Sequence, residues 1–427
     1  MIGIVMFFVA LLALLLGFPV AFTFGGIALI FGVWAEGFDM FAFMPYRIQS
    51  IMENTVLMAV PLFVFMGLVL QKTKLAEQLL ESMGRLFGGV RGGIAISTVL
   101  VGALLAASTG VVGASVVAMG LISLPVMLKY NYDKGLACGT ICASGTLGQI
   151  IPPSIVLILL GDVLGIPVGD LFQAALYPGL VLVGAYVVYI LIYAKLNPES
   201  ASVIAPDESI SRQQEVFKAL KAVLPPLTLI IVVLGSIFAG IATPTESAAL
   251  GGAGAIVLAL FYRQFSWGML YDAAKETVKV TAMVFAILLG ATAFSMAFTY
   301  TGGDMLVEEW MLAIPGEKWG FLVITMLVIL LLGFFIDFVE ICFIIVPMIA
   351  PVAELLGINM TWFAILVAMN LQTSFLTPPF GFSLFYLKGV APDGVTTRDI
   401  YRGVIPFIAI QIVVLASILF FPNFYGM

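Results

Sequence analysis

The chain has 427 residues, of which 62% are hydrophobic and 10% are charged, and its mean hydropathy is +1.17. A soluble domain is about half apolar or less, so this composition excludes the soluble classes. The net charge of −6 argues against nucleic acid as a partner. Histidine is absent, which removes imidazole from every metal, haem and general-base site.

The apolar residues form two series of long stretches. Because these stretches are continuous and do not alternate with a period of two, they predict membrane-spanning helices and not a transmembrane barrel. We therefore expect an all-α polytopic membrane protein. The first series lies at approximately 2–17, 20–35, 55–70, 93–107, 110–128, 135–163 and 176–194. The second series lies at approximately 222–240, 244–262, 279–298, 319–334, 338–350, 361–387 and 404–421.

The two series align with each other at a nearly constant offset. The matched landmarks are Gly17 with Gly240, Gly25-Gly26 with Gly251-Gly252, Gly93 with Gly320, Pro152 with Pro378, Asp170 with Asp399 and Pro178 with Pro406. Matches that keep the same order along both halves indicate an internal repeat. We predict a first repeat at 1–196, a cytoplasmic linker at 197–216 and a second repeat at 217–427.

One pair of segments in each half has arms that are too short for a full crossing. A membrane span needs roughly 20 residues, and the arms of 93–128 and 319–350 are shorter. If both pairs are re-entrant hairpins, each half crosses five times and the repeats are inverted. Of the 18 lysines and arginines, all but Arg47 and Lys318 then face one side. The positive-inside rule makes that side cytoplasmic, so both termini lie outside.

Each half also contains a proline pair that interrupts an apolar stretch, at 135–163 and at 361–387. Proline removes a backbone donor and clashes with the preceding turn. In a bilayer such a break is tolerated only where protein or a watery cavity satisfies the freed backbone groups. Broken helices in inverted repeats are typical of secondary transporters, whose sites lie at the repeat interface. We expect the two breaks to form a binding site.

The tip of the first hairpin, at 106–115, consists of small residues and carries the hydroxyls of Ser108, Thr109 and Ser115. Hydroxyls and freed carbonyls are hard oxygen ligands, which sodium prefers. The alternative is that these small residues serve only close helix packing. The tip therefore predicts either an ion site or a packing contact.

The tip of the second hairpin differs because it carries two acids, Asp337 and Glu340. Ionisable side chains at membrane depth normally face a cavity or a partner. We expect Asp337 to bind a substrate hydroxyl, an ion or a proton. The alternative is a structural acid that accepts hydrogen bonds from nearby backbone amides. In the second break, Thr373, Ser374 and Thr377 supply further oxygen donors.

Other polar residues have structural explanations. Thr243-Pro244-Thr245-Glu246 predicts a capping box at the start of a helix. The three cysteines, Cys138, Cys142 and Cys342, lie within apolar runs and are expected to be buried thiols. Without histidine or further cysteines they predict no transition-metal site.

Four motifs carry a family resemblance: Ser108-Thr109-Gly110, Gly148-Gln149-Ile150-Ile151-Pro152-Pro153-Ser154, Ala242-Thr243-Pro244-Thr245-Glu246 and Thr377-Pro378-Pro379-Phe380-Gly381. Taken together, they resemble the large membrane subunit of tripartite ATP-independent periplasmic (TRAP) transporters. The resemblance covers essentially the whole chain. It implies a sodium-coupled secondary active importer of organic acid anions, of the sialic acid or C4-dicarboxylate type, that is not an enzyme and needs no cofactor besides Na⁺.

The resemblance also implies partners and a location. The large subunit is expected to work with a small four-helix membrane subunit and a periplasmic substrate-binding protein. It is expected in the bilayer of the bacterial inner membrane, as a multi-pass protein with both termini periplasmic. The hairpins and broken helices would form an elevator-type transport domain, and the remaining helices its scaffold.

Site residues follow from the same likeness. The implied sodium ligands are Ser108, Gly110, Gly145, Gly148, Pro152, Asp337, Thr373, Thr377 and Gly381. The implied substrate-binding residues are Ser108, Thr109, Ser115, Ser154, Asp337 and Thr377.

Three other functions stay open at this point. A passive anion channel predicts flux without a sodium gradient. A non-transporting structural membrane subunit requires that a partner carry the site, which the internal repeat disfavours. A membrane-embedded enzyme has little support, because the chain lacks histidine and a catalytic pair of carboxylates.

Overall fold

A computed structural model describes residues 1–73, 75–110, 112–203 and 212–427, and of Ala76, Ser108 and Thr109 it describes only the backbone. These residues are helical and contain no strand. The helices of the first half are α1 (Ile2–Leu15), α2 (Val20–Glu36), α3 (Met44–Met52), α4 (Ala59–Lys72), α5 (Leu75–Leu86), α6 (Gly93–Thr109), α7 (Val112–Lys129), α8 (Lys134–Thr146), α9 (Ile155–Leu164) and α10 (Val168–Leu196).

The second half also contains ten α-helices within the described residues. They are α11 (Arg212–Phe238), α12 (Pro244–Phe261), α13 (Trp267–Tyr300), α14 (Gly303–Leu312), α15 (Glu317–Leu332), α16 (Phe338–Glu340), α17 (Val346–Leu355), α18 (Met360–Leu376), α19 (Phe382–Val390) and α20 (Thr397–Phe420). Between α16 and α17 the chain forms a π-helical turn at Ile341–Ile345.

Seven helical segments within the described ranges are long and apolar enough to cross a membrane. They are Val112–Lys129, Val168–Leu196, Arg212–Phe238, Pro244–Phe261, Trp267–Tyr300, Phe338–Leu355 and Thr397–Phe420. Further apolar helices of 10–17 residues accompany them. The predicted all-α, polytopic membrane class is confirmed.

Some helices are longer than the apolar stretches that predict them, because polar turns extend the helix beyond the stretch. The stretch at 279–298 predicts only part of α13, which has 34 residues. Its N-cap is Ser266, whose hydroxyl accepts a hydrogen bond from the backbone N–H of Met269 at 3.0 Å. The added turns carry Glu276, which pairs with Lys72 of α4 at 2.9 Å. Helix α13 therefore begins at a capping residue and not at the edge of the apolar stretch.

The predicted capping box at the start of α12 is confirmed. The Glu246 carboxylate accepts a hydrogen bond from the backbone N–H of Thr243 at 2.8 Å, and the Thr243 hydroxyl accepts one from the backbone N–H of Glu246 at 3.3 Å. The same reciprocal arrangement joins Thr396 and Asp399 at the start of α20. These side chains satisfy backbone donors that a helix start leaves unpaired.

Helices of one half pack along helices of the other half. In the alignment, α2 corresponds to α12 and α4 corresponds to α13. Helix α2 packs along α13, and α4 packs along α12, which is the exchange that a twofold relation between the halves produces. Glycines allow these close contacts, as where Gly290 of α13 faces the backbone of Ala21 in α2. The inverted orientation of the repeats stays a prediction.

Candidate functional site

The tip of the first hairpin turns at Gly110, between α6 and α7. Gly110 has φ +60, in the left-handed region, and its N–H donates to the carbonyl oxygen of Ala106 at 3.1 Å. Glycine adopts this conformation without the steric cost of a Cβ. A Cβ on Gly110 would lie 3.1 Å from Cγ1 of Ile155, the first residue of α9. The tip therefore lies directly against the first break.

The first broken helix stops and restarts around Pro152 and Pro153, which are both buried. Helix α8 ends at Thr146, a short 3₁₀ turn covers Leu147–Gln149, and α9 begins at Ile155. Ser154 is the N-cap of α9: its hydroxyl donates to the carbonyl oxygen of Gln149 at 2.6 Å and accepts from the N–H of Leu157 at 3.5 Å. Ser154 thus holds the two sides of the break together.

The second broken helix is closed by an equivalent bond. Helix α18 ends at Leu376 and α19 begins at Phe382. The Ser383 hydroxyl donates to the carbonyl oxygen of Phe375 at 2.8 Å. The repeat alignment pairs Phe375 with Gln149, so each break has a serine that bonds to the matching carbonyl. Both proline-proline peptide bonds, at Pro152-Pro153 and Pro378-Pro379, are cis.

In each half, a glycine lies at a close contact between the hairpin and the broken helix. In the first half, Gly148 lies against Ala106, and a Cβ there would be 3.3 Å from the Ala106 carbonyl oxygen. In the second half, Gly333 lies against the side chain of Ser374. The alignment pairs Gly148 with Ser374 and Ala106 with Gly333. Both halves therefore have this contact, but the glycine belongs to the broken helix in the first half and to the hairpin in the second half.

Each hairpin also contacts the broken helix of the other half. Helix α7 packs on α19, where a Cβ on Gly113 would lie 3.0 Å from the Tyr386 ring. Helix α17 packs on α9. The two hairpins and the two broken helices therefore pack together.

The second tip is built around Asp337, which is half-buried. Asp337 is the N-cap of α16, and its Oδ1 accepts a hydrogen bond from the backbone N–H of Phe338 at 2.7 Å. Asp337 therefore accepts a hydrogen bond from a nearby backbone amide, as expected of a structural acid. Its second carboxylate oxygen is not needed for that bond, so capping does not exclude binding.

Phenylalanines join the second tip to the second break, where the first half has small residues. Ring centroids are 5.2 Å apart for Phe335 and Phe380, and 5.9 Å apart for Phe338 and Phe375. Phe382 lies 5.0 Å from Phe375. These rings make the surroundings of the second tip apolar, which strengthens any electrostatic interaction formed there.

The hydroxyls of the second break bond to their own helix. Thr373 donates to the carbonyl oxygen of Met369 at 2.9 Å, and Thr377 donates to that of Thr373 at 2.7 Å. A hydroxyl that donates in this way keeps its acceptor lone pairs. Thr377 has left the helix, with φ −88 and ψ 124. Hard oxygen donors at the end of a helix suit a monovalent cation, so this donor set fits sodium.

At other predicted site residues, close packing explains why the residue is glycine or another small residue. A Cβ on Gly145 would meet the side chain and backbone of Val116 in α7. One on Gly381 would lie 2.6 Å from the Phe375 carbonyl oxygen. These glycines, like Gly148 and Pro152, can bind ions only through their carbonyl groups. Ser115 is 2% exposed. The side chains of Ser108 and Thr109 lie outside the described residues.

Three buried polar residues were not among the predicted ligands. Gln149 and Gln372 are 1% and 0% exposed, and both polar atoms of each side chain lack a hydrogen-bond partner among the described residues. Glu340 is 2% exposed, and its Oε2 also lacks one. Buried polar groups are normally paired, so these amides and this carboxylate are candidates for contact with a bound species. In the sequence, these three residues were indicated as candidates only by their position beside a helix break or a hairpin tip.

Comparison with known proteins places the chain among transporters. Residues 4–424 match the family described as "Tripartite ATP-independent periplasmic transporter, DctM component". The C4-dicarboxylate TRAP transporter large permease protein DctM of Pseudomonas aeruginosa is 31% identical, over 87% of this chain and 85% of that protein. The sialic acid TRAP transporter large permease protein SiaM of Vibrio cholerae is 28% identical, over 96% of this chain and 94% of that protein.

A third relative and a solved structure extend the comparison. The ectoine TRAP transporter large permease protein TeaC of Halomonas elongata is 27% identical, over 96% of this chain and 95% of that protein. The YdaH transporter of Alcanivorax borkumensis has a similar fold, with a TM-score of 0.67 and 14% identity over 98% of this chain and 99% of that chain. The DctM, SiaM and TeaC proteins are transporter permease subunits and not enzymes. The chain belongs to the family of large membrane subunits of TRAP transporters.

Proposed function

We propose that this subunit is a sodium-coupled secondary active importer of organic acid anions. The observation that carries the proposal is the assembly of two hairpin tips and two helix breaks, each break closed by a serine. In such an arrangement, helix ends direct backbone carbonyls and amides toward a common site. Carbonyl ends favour cations, and amide ends favour carboxylates.

The mechanism combines the two kinds of helix end. Sodium enters at the breaks and is held by carbonyls and by the hydroxyls of Thr373 and Thr377, with Asp337 contributing charge at the second tip. Sodium bound there completes the pocket for the carboxylate of the substrate. The hairpins and broken helices then move as one body across the scaffold helices. Moving the site without its cations is unfavourable, because Asp337 would carry an uncompensated charge through apolar surroundings.

The substrate class is broader than any one relative indicates. The relatives named above transport, by their names, a C4-dicarboxylate, sialic acid and ectoine at closely similar identity. We propose that a separate substrate-binding protein selects among organic acids. We further propose a small four-helix membrane subunit as a partner, and a bacterial inner-membrane location with both termini periplasmic.

Reconstitution tests the proposal directly. The large subunit is placed in proteoliposomes with the small subunit and the binding protein, and uptake of a panel of organic acids is measured at varied sodium. We expect accumulation above the external concentration only with an inward sodium gradient. Flux that merely equilibrates the acid without sodium would instead establish the passive channel. No flux in the complete complex would support the structural subunit.

A further inference from the structure

A cavity of about 420 Å³ lies where α11 begins and α12 ends, and no residue of the hairpin tips or helix breaks lines it. Its walls are one face of α5, the first turns of α11 and Tyr262, which directly follows α12. The Tyr262 hydroxyl donates to the carbonyl oxygen of Lys221 at 3.2 Å and so joins two of these walls. Ligand pockets commonly measure about 300–1,000 Å³, so the cavity can hold a small polar group.

Charged side chains of both signs line this cavity. Arg85 and Glu81 of α5 pair with each other at 2.7 Å. Lys218 and Lys221 line the cavity from α11, are exposed, and pair with no carboxylate among the described residues. Because these lysines are three residues apart, they share one face of α11. They therefore offer two ammonium groups to an anion that enters the cavity.

The cavity lies beside a surface that has the character of a membrane boundary. Helix α11 is long and apolar enough to cross a membrane, and its residues Phe217, Leu220 and Leu224, close to the two lysines, are exposed. Near the start of α13, shortly after the end of α12, Trp267 and Tyr271 are also exposed. Exposed aromatic residues of this kind are enriched where lipid headgroups meet water. The cavity is therefore placed at headgroup level, with apolar surface next to it.

Helix α5 forms the other wall and is amphipathic. Its residues Leu75, Leu79 and Leu80 are buried, and the helix packs on α6 and α11. Its polar residues Gln78 and Ser82 line the cavity. A helix with one apolar and one polar face is typical of the membrane interface.

We propose that this cavity binds the headgroup of a membrane phospholipid, whose phosphodiester group is held by Lys218 and Lys221. Glu215 lines the same cavity and can accept a hydrogen bond from an amine of the headgroup, as phosphatidylethanolamine supplies. The acyl chains would lie on the exposed apolar face of α11 that includes Phe217. Basic pockets between membrane helices are known to bind phospholipid headgroups. A free phosphate ion would use the lysines but would leave the apolar face uncovered.

A bound headgroup would join two parts of the molecule. Helix α5 leads directly into α6, the first arm of the first hairpin, whereas α11 belongs to the second half. A ligand that contacts both α5 and α11 stabilises their contact in the folded state. Binding is therefore measurable as resistance to unfolding, without transport.

Thermal melting of the purified, delipidated subunit in detergent tests the site. Melting temperature is measured at constant ionic strength against three probes: dioctanoyl-phosphatidylethanolamine, dioctanoylglycerol, which has the same tails without the headgroup, and inorganic phosphate. A ligand that binds only the folded protein raises the melting temperature in a concentration-dependent way. We expect this effect from the phospholipid and from neither of the other probes.

Variants assign the effect to the two lysines. Lys218→Gln with Lys221→Gln should raise the half-saturating phospholipid concentration by about tenfold or more, because the phosphodiester loses both charged partners. Lys218→Arg with Lys221→Arg keeps both charges and should bind like wild type. Lys275→Gln with Lys279→Gln is the matched control, because these exposed lysines of α13 do not line the cavity, and half-saturation should be unchanged.

The opposite results would overturn the site. An unchanged half-saturating concentration in Lys218→Gln with Lys221→Gln contradicts binding by these lysines. Equal stabilisation by dioctanoylglycerol would show that the tails alone bind. Stabilisation by inorganic phosphate at the same concentrations, lost in the glutamine variant, would replace the lipid by a free anion. If the double variant does not fold, Lys218→Gln and Lys221→Gln are measured singly, and two unchanged values contradict the site. Sodium enters none of these measurements, so the site is tested separately from the proposed transport function.

Discussion

Asp337 combines a structural bond with a position that favours function. It caps α16 through the backbone N–H of Phe338, and it lies at a hairpin tip inside a membrane protein. Removing a capping aspartate costs about 0.5–2 kcal/mol, whereas asparagine caps a helix almost as well as aspartate. Substitution by asparagine therefore removes the charge and keeps the cap, and substitution by alanine removes both.

We predict that Asp337→Ala and Asp337→Asn both abolish sodium-driven uptake while the protein still reaches the membrane. The reason is that neither residue supplies the negative charge that the site requires. Initial uptake rates in proteoliposomes, normalised to the amount of protein, provide the measurement. Wild-type transport by Asp337→Asn would reduce Asp337 to a helix cap.

Ser154 and Ser383 make the same bond in the two breaks, so their substitution separates structure from binding. Ser383→Ala removes one buried hydrogen bond, worth about 1 kcal/mol. Ser154→Ala removes the matching bond to the Gln149 carbonyl oxygen and also the N-cap bond from the N–H of Leu157. We expect both variants to melt at a lower temperature than wild type in detergent. A KM for the organic acid that rises only in Ser154→Ala would show that Ser154 also contacts substrate, as the family resemblance implies. Equal KM values would leave it a structural serine.

At the residue scale the sequence indicated the helix breaks better than it explained the individual residues. The proline pairs and Asp337 were visible because polar or helix-breaking residues are costly in an apolar stretch. The Ser154 bond was not visible, because it depends on how the chain folds back to the Gln149 carbonyl oxygen. The burial of Gln149, Gln372 and Glu340 is likewise a property of packing between distant helices.

At the scale of elements, the helix breaks and the capped start of α12 were predictable, most other helix ends were not, and the re-entrant geometry of the hairpins stays a prediction. An apolar pattern does not predict small helices such as α3 and α14, because these helices are short and partly polar. Helix α14 begins after Gly302, whose φ of +69 turns the chain. The start of α13 depends on Ser266, a local capping signal that precedes the apolar stretch.

The first break should be required for transport. In Pro152→Ala with Pro153→Ala, two backbone donors return and the clash with the preceding turn is removed. Helices α8 and α9 can then join, which withdraws their free ends from the site. We expect sodium-driven uptake to be lost while the melting temperature is retained. Pro378→Ala with Pro379→Ala is the matched variant in the second half, and uptake equal to wild type in either pair would make that break only architectural.

Contacts between helices of the two halves hold the whole molecule together. Helix α2 packs on α13 and α4 packs on α12, while α7 packs on α19 and α17 packs on α9. Through these contacts, each hairpin packs on the broken helix of the other half as well as on its own half. Which side of the membrane each end occupies depends on the charge distribution, and this gives a separate test.

The predicted topology places residue 423, near the C-terminus, outside the membrane and residue 199, in the linker, inside. The native thiols of Cys138, Cys142 and Cys342 are buried, so they should not react and wild-type protein is the control. Asn423 and Glu199 are exposed and accept a cysteine without loss of packing. With a membrane-impermeant maleimide on intact spheroplasts, Asn423→Cys should be labelled and Glu199→Cys only after permeabilisation. The reverse pattern would invert the orientation, and labelling of both sites from outside would contradict an odd number of crossings in the second half. That number is odd whether the hairpin at 319–350 is re-entrant, which gives five crossings, or crosses twice, which gives seven, so the experiment tests the orientation of the second half independently of the geometry of this hairpin.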